Sequence, residues 1–162
     1  MPLADIAALT ARLSPADAGE VLTLQLAAWV REALENVTLA IPPLHESVAD
    51  VARDLADPRF TAWGVRLADG DRLVAMARTS LRDEGATAFV GRLGVVPDLH
   101  GGGYGSAILA WAEAHVPVEV TRFELVTGAL STTNHAFYAR QGYALIDDPA
   151  GPEGTVTFAK TR

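Results

Sequence analysis

Residues 93–105, Leu93-Gly94-Val95-Val96-Pro97-Asp98-Leu99-His100-Gly101-Gly102-Gly103-Tyr104-Gly105, carry a strand-like run into a proline and then place glycine at four of the last six positions. A helical pattern follows from Ser106. A strand that feeds a glycine-rich turn and then a helix N-terminus leaves backbone N–H groups without partners, and such a cluster of donors attracts an anion, phosphate above all. Glycines 101, 102, 103 and 105 also permit positive φ and close approach of a ligand to the main chain.

Upstream, Ala86–Val96 alternates as a strand, with Gly91 and Gly94 interrupting it and predicting a bulge or a close backbone approach. Phe60–Leu67 and Leu73–Leu81 flank Ala68-Asp69-Gly70-Asp71, an Asp-Gly hairpin signal, and Arg82–Gly85 makes the next turn. Leu44, Val48, Val51 and Leu55 recur at helical spacing over Leu44–Ala56. Pro42-Pro43 separates that helix from an earlier one, opened by Ser14-Pro15-Ala16-Asp17, whose stripe Leu22, Leu26, Trp29, Val30 and Ala33 is expected in the core. Ile6–Leu13 reads as a first edge strand.

Downstream, Ser106–Val116 is a helix stopped by Pro117, and Phe123–Thr127 is a strand. Ser131-Thr132-Thr133 offers N-caps for a helix over Asn134–Gln141 that Gly142 ends. Tyr143–Ile146 and Thr155–Ala159 are the last two strands. This order predicts an α/β fold in one domain spanning residues 1–162, with a mixed sheet and helices on both faces. The hairpins make its middle antiparallel, whereas the step from Ala86–Val96 through the helix to Phe123–Thr127 requires a parallel pair. A ligand can enter where such neighbours part.

The chain has 13 Lys+Arg against 20 Asp+Glu, a net charge of -7, and no basic patch, which argues against nucleic acid as a partner. Acidity favours a cationic substrate such as an amine, although in most proteins it serves solubility. Cysteine is absent, excluding disulfides, thiolate metal sites and a cysteine nucleophile. The four histidines show no metal-ligand spacing. No apolar run approaches the roughly 18 residues that span a bilayer, and no signal-peptide pattern opens the chain, so no membrane association and a cytoplasmic location are the expectations.

Three phosphate-binding templates can be set against the glycine turn. A P-loop needs Gly-Lys-Ser/Thr, but the only lysine is Lys160. A dinucleotide fingerprint needs a further glycine where Ile108 stands. The third fits: Leu93 to Pro97 followed by His100-Gly101-Gly102-Gly103-Tyr104-Gly105 resembles the Gln/Arg-x-x-Gly-x-Gly/Ala signature of the GNAT superfamily of acetyl-CoA-dependent N-acetyltransferases. Asn134-His135-Ala136-Phe137-Tyr138-Ala139-Arg140-Gln141-Gly142-Tyr143 resembles that family's Asn-x-x-x-Tyr-x-x-x-Gly-Tyr/Phe block.

The resemblance implies a mostly antiparallel sheet of about seven strands flanked by four helices and splayed between the fourth and fifth strands. It implies that backbone N–H groups from Gly101, Gly102, Gly103, Gly105 and Ser106, beside His100, hold the pyrophosphate of coenzyme A. It further implies that the backbone of Leu93, Val95 and Val96 pairs with the pantetheine arm and polarises the thioester carbonyl, that Asn134 bonds the arm, and that Tyr138 stands near sulfur as the acid. Asn134 and Tyr138 are four residues apart, hence on one helix face, and a phenol can protonate a departing thiolate.

The implied activity is acetyl transfer from acetyl-CoA, as co-substrate and with no metal, to the primary amine of a small molecule or peptide; a catalytically silent acyl-CoA-binding module is the alternative. Relatives are often dimers, so a homodimer is an expectation. His100 replaces the family's Gln or Arg, and Gly102 stands where a basic residue is common, so phosphate binding leans on backbone donors. Many relatives carry an acid on the central strand, but Ala88, Val90 and Arg92 supply none. His45, Glu46, Glu32, Glu35, Asp83, Glu84 or a water relay are the candidates for the base.

Overall fold

A computed structural model describes residues 3–67 and 71–162; the expected Ala68–Gly70 turn lies outside the described residues. Seven strands form one sheet in the order β1-β2-β3-β4-β5-β7-β6. They are β1 (Thr10–Arg12), β2 (Phe60–Arg66), β3 (Leu73–Arg82), β4 (Thr87–Val95), β5 (Arg122–Gly128), β6 (Ala144–Ile146) and β7 (Thr155–Thr161). The helices are α1 (Leu3–Ala8), α2 (Ala18–Glu35), α3 (Val48–Ala56), α4 (Tyr104–Ala114) and α5 (Thr132–Arg140). All strand neighbours are antiparallel except β4 and β5, the parallel pair required by the β4-α4-β5 crossover.

Two sequence expectations need correction. The edge strand expected over Ile6–Leu13 is only Thr10–Arg12, because the alanine-rich residues before it close a fifth helix, α1, at whose end Thr10 Oγ1 donates to Ile6 O at 2.7 Å. In α2 the buried face is Ala18, Val21, Leu24, Gln25, Trp29 and Ala33, while Leu26 and Val30 of the expected stripe are exposed by 42% and 49%. Gln25 can lie on the buried face because its amide donates to Glu46 Oε2 at 2.8 Å. The start of α2 is as read, with Asp17 Oδ2 accepting from the Ser14 N–H and hydroxyl at 2.8 and 2.9 Å and Pro15 opening the first turn.

The bulge lies in β4 between the two glycines rather than at either. Arg78 pairs with Gly91 and Met76 with Gly94, so Arg92 and Leu93 together oppose Ala77, and Arg92 takes the left-handed φ of 52°. Gly94 serves close approach: a Cβ there would stand 2.6 Å from the Trp29 ring, so only glycine lets α2 lie on β4. The core divides at the same strand. One cluster, with Trp29, Met76 and Ile108, covers β1 to β4, the other, with Leu109, Phe123 and Tyr138, covers β4 to β7, and Leu93 packs against both.

Candidate functional site

β4 and β5 pair only from Thr87↔Arg122 to Phe89↔Glu124 and then separate, so the facing edges of their carboxyl halves are open. The Val96 N–H donates to Val74 O across β3 at 2.9 Å, so by strand alternation the amide and carbonyl of Val95 face the opposite edge, into the opening. His100 Nε2 confirms this, lying 3.0 Å from Val95 O. Val96 is spent, its carbonyl accepting from the Leu99 N–H at 3.1 Å, so Val95 is the residue of this run whose main chain demonstrably lines the opening.

The glycine turn ends in α4 without a side-chain cap. Gly101 and Gly103 have φ of 80° and 86°, and Gly103 is the N-cap. The first intrahelical bond runs from the Ala107 N–H to Gly103 O at 3.0 Å, which leaves the amides of Tyr104, Gly105 and Ser106 free at the positive end of the helix. A Cβ at Gly101 or Gly103 would meet nothing within 4 Å, so these glycines serve conformation and the cradle above them is open. A Cβ at Gly105 would meet Phe137 at 3.5 Å, an ordinary contact. A Cβ at Gly102 would be tighter, 3.1 Å from Leu99 O, and the Gly102 N–H donates to that same carbonyl at 3.2 Å, so against expectation this amide is closed into the turn and is not free for a phosphate. Main-chain donors gathered this way, with no cationic side chain among them, make an anion-attracting turn. Ser106 Oγ accepts from Gln141 Nε2 at 3.1 Å, fastening α4 to the end of α5.

α5 carries Asn134 and Tyr138. Asn134 Nδ2 donates to Thr127 Oγ1 at 3.1 Å, near the end of β5. Tyr138 is buried against Phe137, Tyr143 and Phe158, with ring centroids 5.2, 6.1 and 5.9 Å away. Burial first, and then the negative charge of Glu32, push its hydroxyl above the ordinary phenol value of 10.0, so it stays protonated at any working pH.

Glu32 is one candidate among several in the sequence, and the structure separates it from the rest. Its Oε1 accepts from the Gly128 N–H at 2.8 Å and from Thr127 Oγ1 at 3.0 Å, which brings the carboxylate from α2 to the open end of β5. Asn36 reinforces the junction, donating to Ser131 Oγ at 2.7 Å and accepting from the Leu130 N–H at 2.9 Å.

Asp83 and Glu84 lie in the β3–β4 turn, at the far end of β4 from the glycines. Glu35 pairs with Arg31 at 2.9 Å, and His45 Nε2 contacts Leu39 O. Glu46 is bound by Arg92, whose side chain is 15% exposed, and by Gln25. Desolvation lowers the Arg92 pKa, with the charge of Glu46 opposing it. Beside this pair, Arg78 binds Asp54 of α3. His115 ends α4 stacked on Trp111, and His135 contacts Gly128 O at 2.9 Å. Among the described residues no three His, Asp or Glu side chains could hold a metal ion, and no helix is long and apolar enough to cross a membrane.

A parting parallel pair, a turn with free amides after β4, and Asn134 bonded near the end of β5 make up the candidate site. The model of the acetyltransferase (GNAT) family matches residues 25–143, and the chain belongs to that family. No curated protein sequence is significantly similar to it. Among solved structures, an acetyltransferase from Thermus thermophilus is 23% identical, with a TM-score of 0.75 over 94% of this chain and 96% of that one. The PaiA N-acetyltransferase from Thermoplasma acidophilum, solved with coenzyme A, is 15% identical, with a TM-score of 0.77 over 94% and 98%. The ribosomal-protein-S18-alanine N-acetyltransferase from Escherichia coli is 18% identical, with a TM-score of 0.71 over 94% and 92%.

Proposed function

We propose that the protein is an acetyl-CoA-dependent N-acetyltransferase that moves the acetyl group to a primary amine of a small molecule or peptide by direct attack. One observation carries the reading: β4 and β5 part beyond Phe89 and Glu124, the main chain of Val95 faces that opening, free amides follow in the glycine turn, and Asn134 is bonded to Thr127 near the end of β5. Acetyl-CoA, when bound, supplies an activated acyl carbon. The free amides of Gly101, Gly103, Tyr104, Gly105 and Ser106 hold its pyrophosphate, and Val95, with Leu93 beside the bulge, aligns the pantetheine arm and polarises the thioester. His100 leaves the Val95 carbonyl as the arm arrives. Asn134 bonds the arm, and Tyr138, held protonated, donates to sulfur as coenzyme A leaves. The PaiA structure, solved with coenzyme A, supports the nucleotide assignment through its likeness in fold.

Free thiol followed during incubation with acetyl-CoA and a panel of primary amines tests this. Amine-dependent thiol release is expected, and Tyr138→Phe should lower turnover by about 10²-fold, the lower range for a positioned proton donor, with coenzyme A affinity unchanged. Tight acetyl-CoA binding with no thiol release on any amine would instead identify an acyl-CoA-binding module.

A further inference from the structure

We infer that Glu32 is the general base of this site: it receives the acceptor amine as an ammonium ion at the open end of β5 and takes its proton. The inference rests on the acetyltransferase reading above and adds the group that sequence could not assign. Three observations carry it. Glu32 is on α2, yet the Thr127 hydroxyl and the Gly128 amide fix its carboxylate at the carboxyl end of β5, and Thr127 is also the partner of Asn134. The described hydrogen bonds to that carboxylate all fall on Oε1, including a longer one from Ser131 Oγ at 3.4 Å, so Oε2 is left for a ligand. Its alternatives are remote, exposed or bound to arginine, as Glu46 is to Arg92.

Burial, and after it the negative charge of Glu32, raises the Tyr138 pKa, so Glu32 lies within electrostatic reach of the phenol that keeps its proton. Other ionisable groups on the surrounding elements include Arg31 and Glu35 on α2, which pair with each other, His135 on α5, which contacts Gly128 O, Arg140 in the last turn of α5, Arg92 on β4, which holds Glu46, and Arg122 and Glu124 on β5, which pair with each other.

The proton count closes. The ammonium gives one proton to Glu32, which passes it to solvent. The freed nitrogen lone pair forms the C–N bond as the C–S bond breaks. A second nitrogen proton is lost to solvent while Tyr138 gives its proton to sulfur and is refilled. The products are an amide, the free thiol and one released proton.

Glu32→Gln tests this, because the amide oxygen can still accept from Gly128 and Thr127 while the basicity is gone. With an amine that the wild type accepts, kcat should fall by about 10²–10⁴-fold, with unchanged acetyl-CoA affinity and thermal melt. The variant can use only amine that arrives neutral, so below the amine's own pKa its rate should climb about tenfold per pH unit while the wild type is much flatter. A merely structural Glu32 would not produce that difference in slope. Equal turnover and equal pH profiles in the two proteins overturn the assignment while leaving the acetyltransferase reading intact. A wild type that releases no thiol from acetyl-CoA with any amine, or by slow hydrolysis without one, removes both.

Discussion

One wall of the opening, formed by the edge of β4, the glycine turn and the first turn of α4, offers main-chain donors; the other side, where α2 and the loop before α3 meet the β4 bulge, offers carboxylates and guanidinium groups. Main-chain donors need residues with permissive backbones at fixed offsets, so the coenzyme wall is written in one short run, Leu93–Ser106. The side-chain wall needs convergence from distant segments. Glu46 meets Gln25 across 21 residues and Arg92 across 46, while Glu32 reaches Gly128 across 96. The first wall depends on backbone conformation, the second on particular side-chain pairs.

The largest effect that sharpens this contrast is expected at the bulge. Arg92→Met leaves Glu46 in a largely buried place with Gln25 as its remaining partner, and breaking such a pair from one side costs about 3–5 kcal/mol. Adding Glu46→Gln removes the stranded charge and keeps a partner for Gln25, so the double variant should recover most of the loss. Urea unfolding midpoints measure both. A double variant no more stable than Arg92→Met would mean that the charge pair is not what binds the α2–α3 side to β4.

The next test sits on the coenzyme wall. Gly103→Val forces a β-branched residue into a φ of 86°, a strain of roughly 1–2 kcal/mol at the cradle, so acetyl-CoA should bind about 5–30-fold more weakly if the turn relaxes. Gly105→Ala adds a methyl at ordinary contact distance, 3.5 Å from Phe137, and should change affinity by no more than about 0.5 kcal/mol. Calorimetric titration with coenzyme A reads both. Equal losses would show that the cradle is limited by space rather than by conformation.

The same contrast explains what was legible in the sequence. The hairpins, the β4-α4-β5 crossover and the two motif segments are local patterns, and seven strands with one parallel step follow from them. α1 was not legible because its alanines suit a helix better than the strand their loose alternation suggested. The buried face of α2 is hard to read from sequence because Gln25 looks polar until Glu46 stands beside it. The left-handed residue of β4 is Arg92, whereas the glycine rule points to Gly91 or Gly94. Asn134 and Tyr138 carry their spacing with them; Glu32 carries no local signal, since its hydroxyl and amide partners lie in β5.

The smallest effect expected is one of pH, and it too separates the walls. At the start of α3, hydrogen bonds from the Ser47 hydroxyl and amide, with Arg53 adding to them, hold Asp50 at about 2; beyond its end, Arg59 holds Asp57 at about 2. Asp17, before α2, is also lowered: burial raises it, but its bonds from Ser14 and Arg66 outweigh that. On the coenzyme wall Arg72 lowers Asp98, in the turn before α4. Each carboxylate has a folded pKa below its unfolded value, near 3.8, so its contribution is complete above about pH 4 and is lost as pH falls toward 2. Three such groups hold α2 and α3 against one beside α4, so hydrogen exchange between pH 4 and 2 should lose protection in α3 before α4. Asp50→Asn together with Asp57→Asn should flatten the pH dependence of α3 alone. Loss of protection in parallel, unaffected by those substitutions, would show that the two walls melt as one unit in acid.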